Sequence, residues 1–415
     1  MVADRSESGL ASARPDGAGA GGRSDGGVRR RPKKRKAQIV RVAARAFSER
    51  GYHPVGVDEI AAEVGISGPA LYRHFTNKYA LLVAAAEGGA QLLLDAARSA
   101  EDPGADPESG ITALIRALSE HTIEVRREGG LYRWERRYLE PEDRRRIRIT
   151  YAALHDKVES AIAALRPEAD AADVAVLGTG MLGAIGSITL HRTTLANARL
   201  IDLLQDICWS ILRTELPPAP VQPAPEATMR GLPLSSKREQ LLLEAIRIFG
   251  RQGYHEASIE EIGAAVGINA SSVYRYFPSK SELLAAAFHR TGERVAIANS
   301  EALAEAANRA DAALRIADRF ARLTFATPEI LPVYFAEFSN LPAAEQHKLR
   351  AVQRQNVLEW ANLLDGDQAE ARFRVHAAIA QVVDVGRGIR FDRRPESLAR
   401  VHELMRAVLL GTEPD

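Results

Sequence analysis

The sequence predicts an all-α protein of two tandem helical units, each an N-terminal three-helix helix-turn-helix domain followed by a helical bundle. Three observations carry this. A 36-residue block occurs twice without a gap, 202 positions apart, and Phe47–Leu82 and Phe249–Leu284 agree at 16 positions. That period is far longer than a solenoid repeat and close to the size of a whole domain. Apolar residues around and beyond the block recur at helical spacing, without a convincing strand pattern. The same offset continues past the block, setting Leu131, Tyr132, Glu135 and Leu139 on Val333, Tyr334, Glu337 and Leu341, and Gly186 on Gly388.

The expected organisation is a disordered basic tail over 1–32, a first helix-turn-helix domain over 33–82 and a helical body over 83–214. A linker over 215–235, a second helix-turn-helix domain over 236–284 and a second body over 285–415 follow. Gly, Ala, Ser and Asp dominate up to Gly27 and cannot bury apolar surface, so this part is expected to be disordered. Residues 1–36 hold ten Lys/Arg against four Asp/Glu, while the whole chain carries a net charge of only +1. The run Arg29, Arg30, Arg31, Lys33, Lys34, Arg35 and Lys36 reads either as a solubilising tail or as an arm making accessory phosphate contacts.

Ile39, Val42, Ala43, Ala46 and Phe47 form the stripe of a first helix, matched by Leu241, Ala245, Ile248 and Phe249. Gly51 and Gly253 stand where a helix C-terminal glycine belongs, so the chain turns there. A short second helix starts at Val57 and at Ile259. Ser258 with Glu261 makes a capping box in the second copy, whereas Gly56 leaves the first copy weaker. Val64-Gly65-Ile66 and Val266-Gly267-Ile268 close that helix, and Ser67 and Asn269 are natural N-caps for the next, with Pro69 tolerated in its first turn. Two short helices around a Gly-containing turn form a helix-turn-helix, spanning Val57 to Phe75 and Ile259 to Phe277.

At this point the chain resembles the TetR family of transcriptional regulators. The resemblance rests on FxxxGYH, then EIAAEVGISGPALYRHFTNK or EIGAAVGINASSVYRYFPSK, and the pairs Leu81-Leu82 and Leu283-Leu284. It implies a DNA-binding head and a mostly helical ligand-binding body whose last two helices pair between subunits. It also implies a small-molecule effector, whose identity the residues leave unknown.

The residue chemistry points the same way. The first residues of a helix entering the major groove must be small or polar. Gly68, Pro69 and Ala70 satisfy this in one copy and Ala270, Ser271 and Ser272 in the other, so different half-sites are expected. Ser67 and Asn269 can bond bases or phosphates, and Tyr72, Arg73, Tyr274 and Arg275 can reach base edges or backbone. His74 and Tyr276 join them at the helix ends, and Ser258 heads the preceding helix. Lys78 and Lys280 are expected to grip phosphates, while Leu71, Phe75, Val273 and Phe277 read as core. An isolated Tyr-Arg pair would be an ordinary solvated face; its repetition in register argues for contact.

The bodies are Ala- and Leu-rich. Asp170–His191 with Leu200–Leu212, and Ala369–Ile389 with Leu398–Leu410, fall where the resemblance puts the pairing helices. Gly178, Gly186 and Gly388 are expected to let neighbouring helices approach. Tyr132, Trp134, Tyr138, Phe325, Tyr334, Phe335 and Phe338 either line an effector cavity or fill the core. Five prolines between Pro217 and Pro225 mark a semi-stiff linker that spans on the order of 60 Å at most. The preferred assembly is an intramolecular pseudo-dimer with its recognition helices in successive major grooves; the rival is a homodimer of tandem chains.

Other classes fare worse. The single Cys208 excludes an intrachain disulfide framework. The N-terminus lacks a secretory pattern and Val174–Leu190 is short for a membrane span, so no membrane is expected and the cytoplasm is the default. His53 and His255 lack companions at ligand spacing, so no metal is expected. No nucleophile-base-orienter set or phosphate loop recurs, so neither catalytic residues nor a cofactor are expected and the protein is read as a non-enzyme. The predicted function is a sequence-specific regulator that binds a double-stranded DNA operator, a repressor released by an effector. The alternative is a helical ligand-binding or scaffold protein with decayed DNA binding.

Overall fold

The computed structural model describes residues 30–126, 128, 131, 136–221 and 234–411; Arg29, Tyr132, Trp134 and the linker prolines Pro223 and Pro225 lie outside the described residues. Among the described residues every regular element is a helix. The first unit comprises α1 (Arg30–Arg50), α2 (Val57–Val64), α3 (Gly68–Tyr72), α4 (Lys78–Ser99), α5 (Pro107–Glu124), a 3-10 turn (Arg136–Tyr138), α6 (Pro141–Leu165), α7 (Ala171–Ser187) and α8 (Asn197–Leu212). The second comprises α9 (Lys237–Gln252), α10 (Ile259–Ala265), α11 (Ala270–Tyr274), α12 (Lys280–Glu305), α13 (Arg309–Ala326), α14 (Ile330–Glu337), a 3-10 turn (Phe338–Asn340), α15 (Ala343–Ala361), α16 (Gln368–Gly388) and α17 (Pro395–Leu410).

One boundary differs from the sequence expectation. The tail was expected to run to residue 32, but α1 begins at Arg30. Arg and Lys are good helix formers, and Pro32 sits in the first turn, where its missing N–H has no intrahelical acceptor to serve. The turn after this helix behaves as the glycine suggested. Gly51 and Gly253 hold φ of 83° and 90°, and each donates its N–H to the carbonyl of Phe47 or Phe249 at 2.9 Å.

Each head has its own core. Ile39, Phe47, Ile60, Leu71 and Leu81 are buried in the first, and Leu241, Phe249, Ile262, Val273 and Leu283 in the second. Phe75 and Phe277 complete them. Helix α4 is long and apolar enough, by length and composition alone, to cross a membrane. In this fold it is the helix on which α1, α5 and α6 pack, with Leu81, Leu82, Val83 and Leu94 buried.

The two bodies share one continuous apolar core. Helix α7 lies along α16, with α8 and α17 flanking the pair. Gly180 and Gly183 permit this approach: an added Cβ would lie 2.8 Å from Gln381 Oε1 at the first and 3.1 Å from Asp384 Oδ2 at the second. Of the glycines singled out from sequence, Gly178 instead faces Val158 and Ile162 of its own body. Gly388 has nothing within 4 Å, because it lies in the last turn of α16, beyond the crossing.

Burial dominates this union. Each large side chain in the shared core, such as Met181, Leu204, Val382 or Leu404, contributes about 1.5–3 kcal/mol. The surface ion pair between Arg199 and Glu370 (2.5 Å) is screened by solvent and adds little beside it. Arg400 is different: it is buried, pairs with Asp173 at 2.5 Å and donates to the Pro217 carbonyl at 2.9 Å, tying α7 and the start of the linker to α17.

The heads also meet. The imidazoles of His53 and His255, in the turns after α1 and α9, lie 4.6 Å apart. Beside them Arg137 and Glu337, both withdrawn from solvent, pair at 2.7 Å. Tyr138 of the first unit presses on Gly253 of the second, and Ser339 of the second approaches Gly51 of the first. The contact is therefore roughly two-fold, each unit's 3-10 turn meeting the other unit's head.

Candidate nucleic-acid interface and effector cavity

The recognition segments are built alike. Ser67 Oγ accepts from the Ala70 N–H at 3.4 Å, and Asn269 Oδ1 accepts from the Ser272 N–H at 2.9 Å. These caps start α3 and α11. Each helix then anchors one apolar side chain inward, Leu71 or Val273, which fixes the opposite face outward. Tyr72 and Tyr274 are 50% and 49% exposed and Tyr276 is 43% exposed, so these large rings stand in solvent. Arg73 and Arg275 are exposed and make no ion pair with a described residue. Ser67, Pro69, Asn269 and Ser271 are exposed as well, while Gly68, Ala70, His74, Ala270 and Ser272 are partly covered. Ser258 is exposed and spends its hydroxyl oxygen on the Glu261 N–H at 3.0 Å, the capping bond of α10.

The predicted lysines are placed otherwise. Lys78 donates to the His53 carbonyl at 2.9 Å and lies over the Tyr52 ring. Lys280 donates to the carbonyls of Tyr254 (2.7 Å) and Ala257 (2.8 Å) and lies over the Tyr254 ring. Burial holds both ammonium groups below their usual pKa. Both lysines expected at phosphates thus also lock the turn before α2 and α10, each ammonium held by that turn's carbonyls.

The basic run divides similarly. Arg35 donates to the Val64 carbonyl at 3.1 Å and Lys36 stands over the Phe75 ring, so both engage the first head. Lys237 on the Val266 carbonyl and Arg238 over Phe277 repeat the arrangement. Sequence reasoning missed this function, although recurrence of the cation pair at the repeat offset was a readable signal. Arg30, Arg31, Lys33 and Lys34 lie on the first turns of α1, and Arg29 falls outside the described residues.

The second body contains a cavity of about 130 Å³ among α12, α13, α14, α15 and α16. Of the aromatics proposed for such a site, Tyr334 and Phe335 line it. Phe325 is core against Phe391, Phe338 packs on Tyr334, and Tyr138 belongs to the contact between heads. Among the described residues no group of His, Cys, Asp and Glu is arranged to hold a metal ion.

The N-terminal domain model of the bacterial regulatory proteins, tetR family, matches residues 39–85 and again 241–287. Among curated proteins, the transcriptional activator FasR of Mycolicibacterium smegmatis is 31% identical over 125 residues, 30% of this chain and 57% of FasR. The chain thus spans less than two thirds of that relative's length. The regulator YerO of Bacillus subtilis is 42% identical over 53 residues, 13% of this chain and 18% of YerO. Among solved structures, the TetR-family regulator PfmR of Thermus thermophilus aligns with a TM-score of 0.38 at 23% identity, covering 42% of this chain and 97% of PfmR. AibR, solved with isovaleryl coenzyme A and operator DNA, aligns with a TM-score of 0.35 at 25% identity, covering 42% and 97% of the two chains.

Proposed function

The chain belongs to the tetR family of bacterial regulatory proteins, with the family's N-terminal domain present twice, and from that premise we propose that it is a non-enzymatic, cytoplasmic regulator binding a double-stranded DNA operator. The observation that carries this reading is the pair of like-built heads. Each turns an apolar residue of its recognition helix inward and leaves a Tyr-Arg pair in solvent, free of ion pairing with a described residue. Exposed arginine reads guanine or phosphate, and exposed tyrosine and serine supply hydrogen bonds.

We read the assembly as an intramolecular pseudo-dimer, because the α7–α16 and head-to-head contacts form within one chain. One chain then covers one asymmetric operator, with Gly68-Pro69-Ala70 facing one half-site and Ala270-Ser271-Ser272 the other. Repression by operator occupancy, relieved by an effector, requires the effector to bind one conformation better than the other. The name of the 31%-identical relative, an activator, favours the opposite sign as a second reading.

Footprinting of the full chain across a genome at several salt concentrations tests the proposal. Sequence-selective protection with a steep salt slope is expected. Arg73→Ala and Arg275→Ala should each relax a different half-site by about 1–3 kcal/mol. Equal effects on both halves favour the homodimer of tandem chains. Absence of selective retention favours the ligand-binding or scaffold protein with decayed DNA binding.

A further inference from the structure

The cavity of the second body is built unlike its counterpart region in the first. Its polar wall includes Asn299, Gln353, Asn356, Trp360 and His376. Asn299, Trp360 and His376 are 4%, 3% and 9% exposed, and the buried indole N–H of Trp360 has no acceptor among the described residues. At the repeat offset the first unit carries Ala97, Leu154, Val158 and Val174 in place of Asn299, Asn356, Trp360 and His376, and all four are buried in the apolar core. A polar group is retained in a core only where something bonds to it, since leaving it bare is costly. The first unit carries apolar groups at these positions, whereas the second carries polar ones around an open volume.

The wall also fixes the chemistry of an occupant. Among the described residues no Asp, Glu, Lys or Arg lines this cavity, and Tyr334 already donates to Gln353 Oε1 at 3.0 Å. Burial pushes the His376 imidazole down to about 4, so it is neutral at physiological pH. A charged ligand group would sit unpaired, whereas the indole N–H and the amides offer donors to an acceptor. The volume, about 130 Å³, is of the order that takes an aromatic ring or a short chain.

One wall belongs to the other unit. Leu190, in the turn between α7 and α8, lines the cavity, and the next residue, His191, stacks on His376 with ring centroids 3.9 Å apart and planes 7° from parallel. Arg126 clamps that turn by donating to the carbonyls of Ile188, His191 and Thr193. The turn reaches the first head through Arg192, 3.8 Å from Glu49 of α1, and Glu128, just beyond Arg126, accepts from Arg41 of α1 at 3.1 Å.

We propose that the chain has one effector site, in the second body alone, built for an uncharged, mostly apolar molecule bearing a carbonyl-type acceptor, whose occupancy reaches the first head through the α7–α8 turn. This deepens the regulatory reading above and rests on it. The test uses the full chain and acetophenone, a neutral one-ring ketone, followed by isothermal titration calorimetry. Saturable binding at one probe per chain is expected. Asn299→Ala and His376→Val, which install the first unit's type of residue, should each weaken binding at least tenfold while far-UV circular dichroism stays unchanged. Two probes per chain, no saturable binding, or unchanged affinity in both variants overturns the site. For transmission, probe binding should alter hydrogen exchange over residues 39–50. The surface double variant Arg41→Ala/Arg192→Ala should keep probe affinity within threefold yet lose that change; its persistence overturns the route. Because these readouts need no DNA, their failure is distinguishable from failure of operator binding, which footprinting reads separately.

Discussion

Replacing Gly253 by alanine tests the docking of the first unit's 3-10 turn on the second head. Gly51 and Gly253 both hold positive φ, so a methyl group costs about 1–3 kcal/mol at either position. At Gly51 the new Cβ meets Ser339 Oγ at 3.3 Å, a small group that can turn aside. At Gly253 it falls 2.6 Å from Tyr138 Oη and 3.0 Å from Cε1, and the ring is hemmed in by His53 and Tyr52. Displacing a packed ring adds about 1–3 kcal/mol. Gly253→Ala should therefore cost about 2–6 kcal/mol against about 1–3 for Gly51→Ala. Native-state hydrogen exchange across α9 to α11 reads the local opening free energy directly. A Tyr138→Ala background should bring the Gly253→Ala penalty down to that of Gly51→Ala, the coupling a double-mutant cycle detects. Equal penalties at the two glycines, or a penalty that Tyr138→Ala leaves untouched, would refute the docking.

Further expectations concern the other polar contacts. Lys280→Ala should lower local stability more than Lys78→Ala, since Lys280 holds more carbonyls, and each lost charge-assisted bond is worth about 1.5–3 kcal/mol. A drop of about 0.9 in the DNA salt slope with stability intact would instead restore the phosphate role. Burial depresses His191 and His376, so the unfolded chain binds more protons than the folded one below the ordinary histidine range. Stability should be fully present above about pH 6.5 and fall toward about pH 4, with His376 contributing on the order of 3 kcal/mol. Urea titrations across that range check this, and His376→Val should flatten the slope; an unchanged slope would remove the histidine pair as its cause.

Much of the heads was legible because their determinants are local. Leu71 and Phe75 announce the buried face, Ser67 and Asn269 the caps, and Gly51 and Gly253 the turns, each through chemistry confined to a few neighbouring residues. Roles that depend on distant partners were not legible. The part Lys78 plays in holding the turn comes from the His53 carbonyl, which the fold brings to it across 25 residues. Gly388 looked like a close-approach glycine, yet helix crossing is set by where α7 and α16 meet, which selects Gly180 and Gly183.

By itself, the sequence determined that the chain is a duplication, that each half begins with a helix-turn-helix, and which face of each recognition helix is apolar. Periodicity, capping and turn chemistry act over a few residues and survive without knowledge of the fold. Only the tertiary structure decided that the two bodies share a core, that Arg137 and Glu337 join the heads, and that the second body alone places Asn299, Trp360 and His376 around one cavity. Those outcomes depend on which side chains exclude water together across long separations in the chain, and a linear pattern does not specify that.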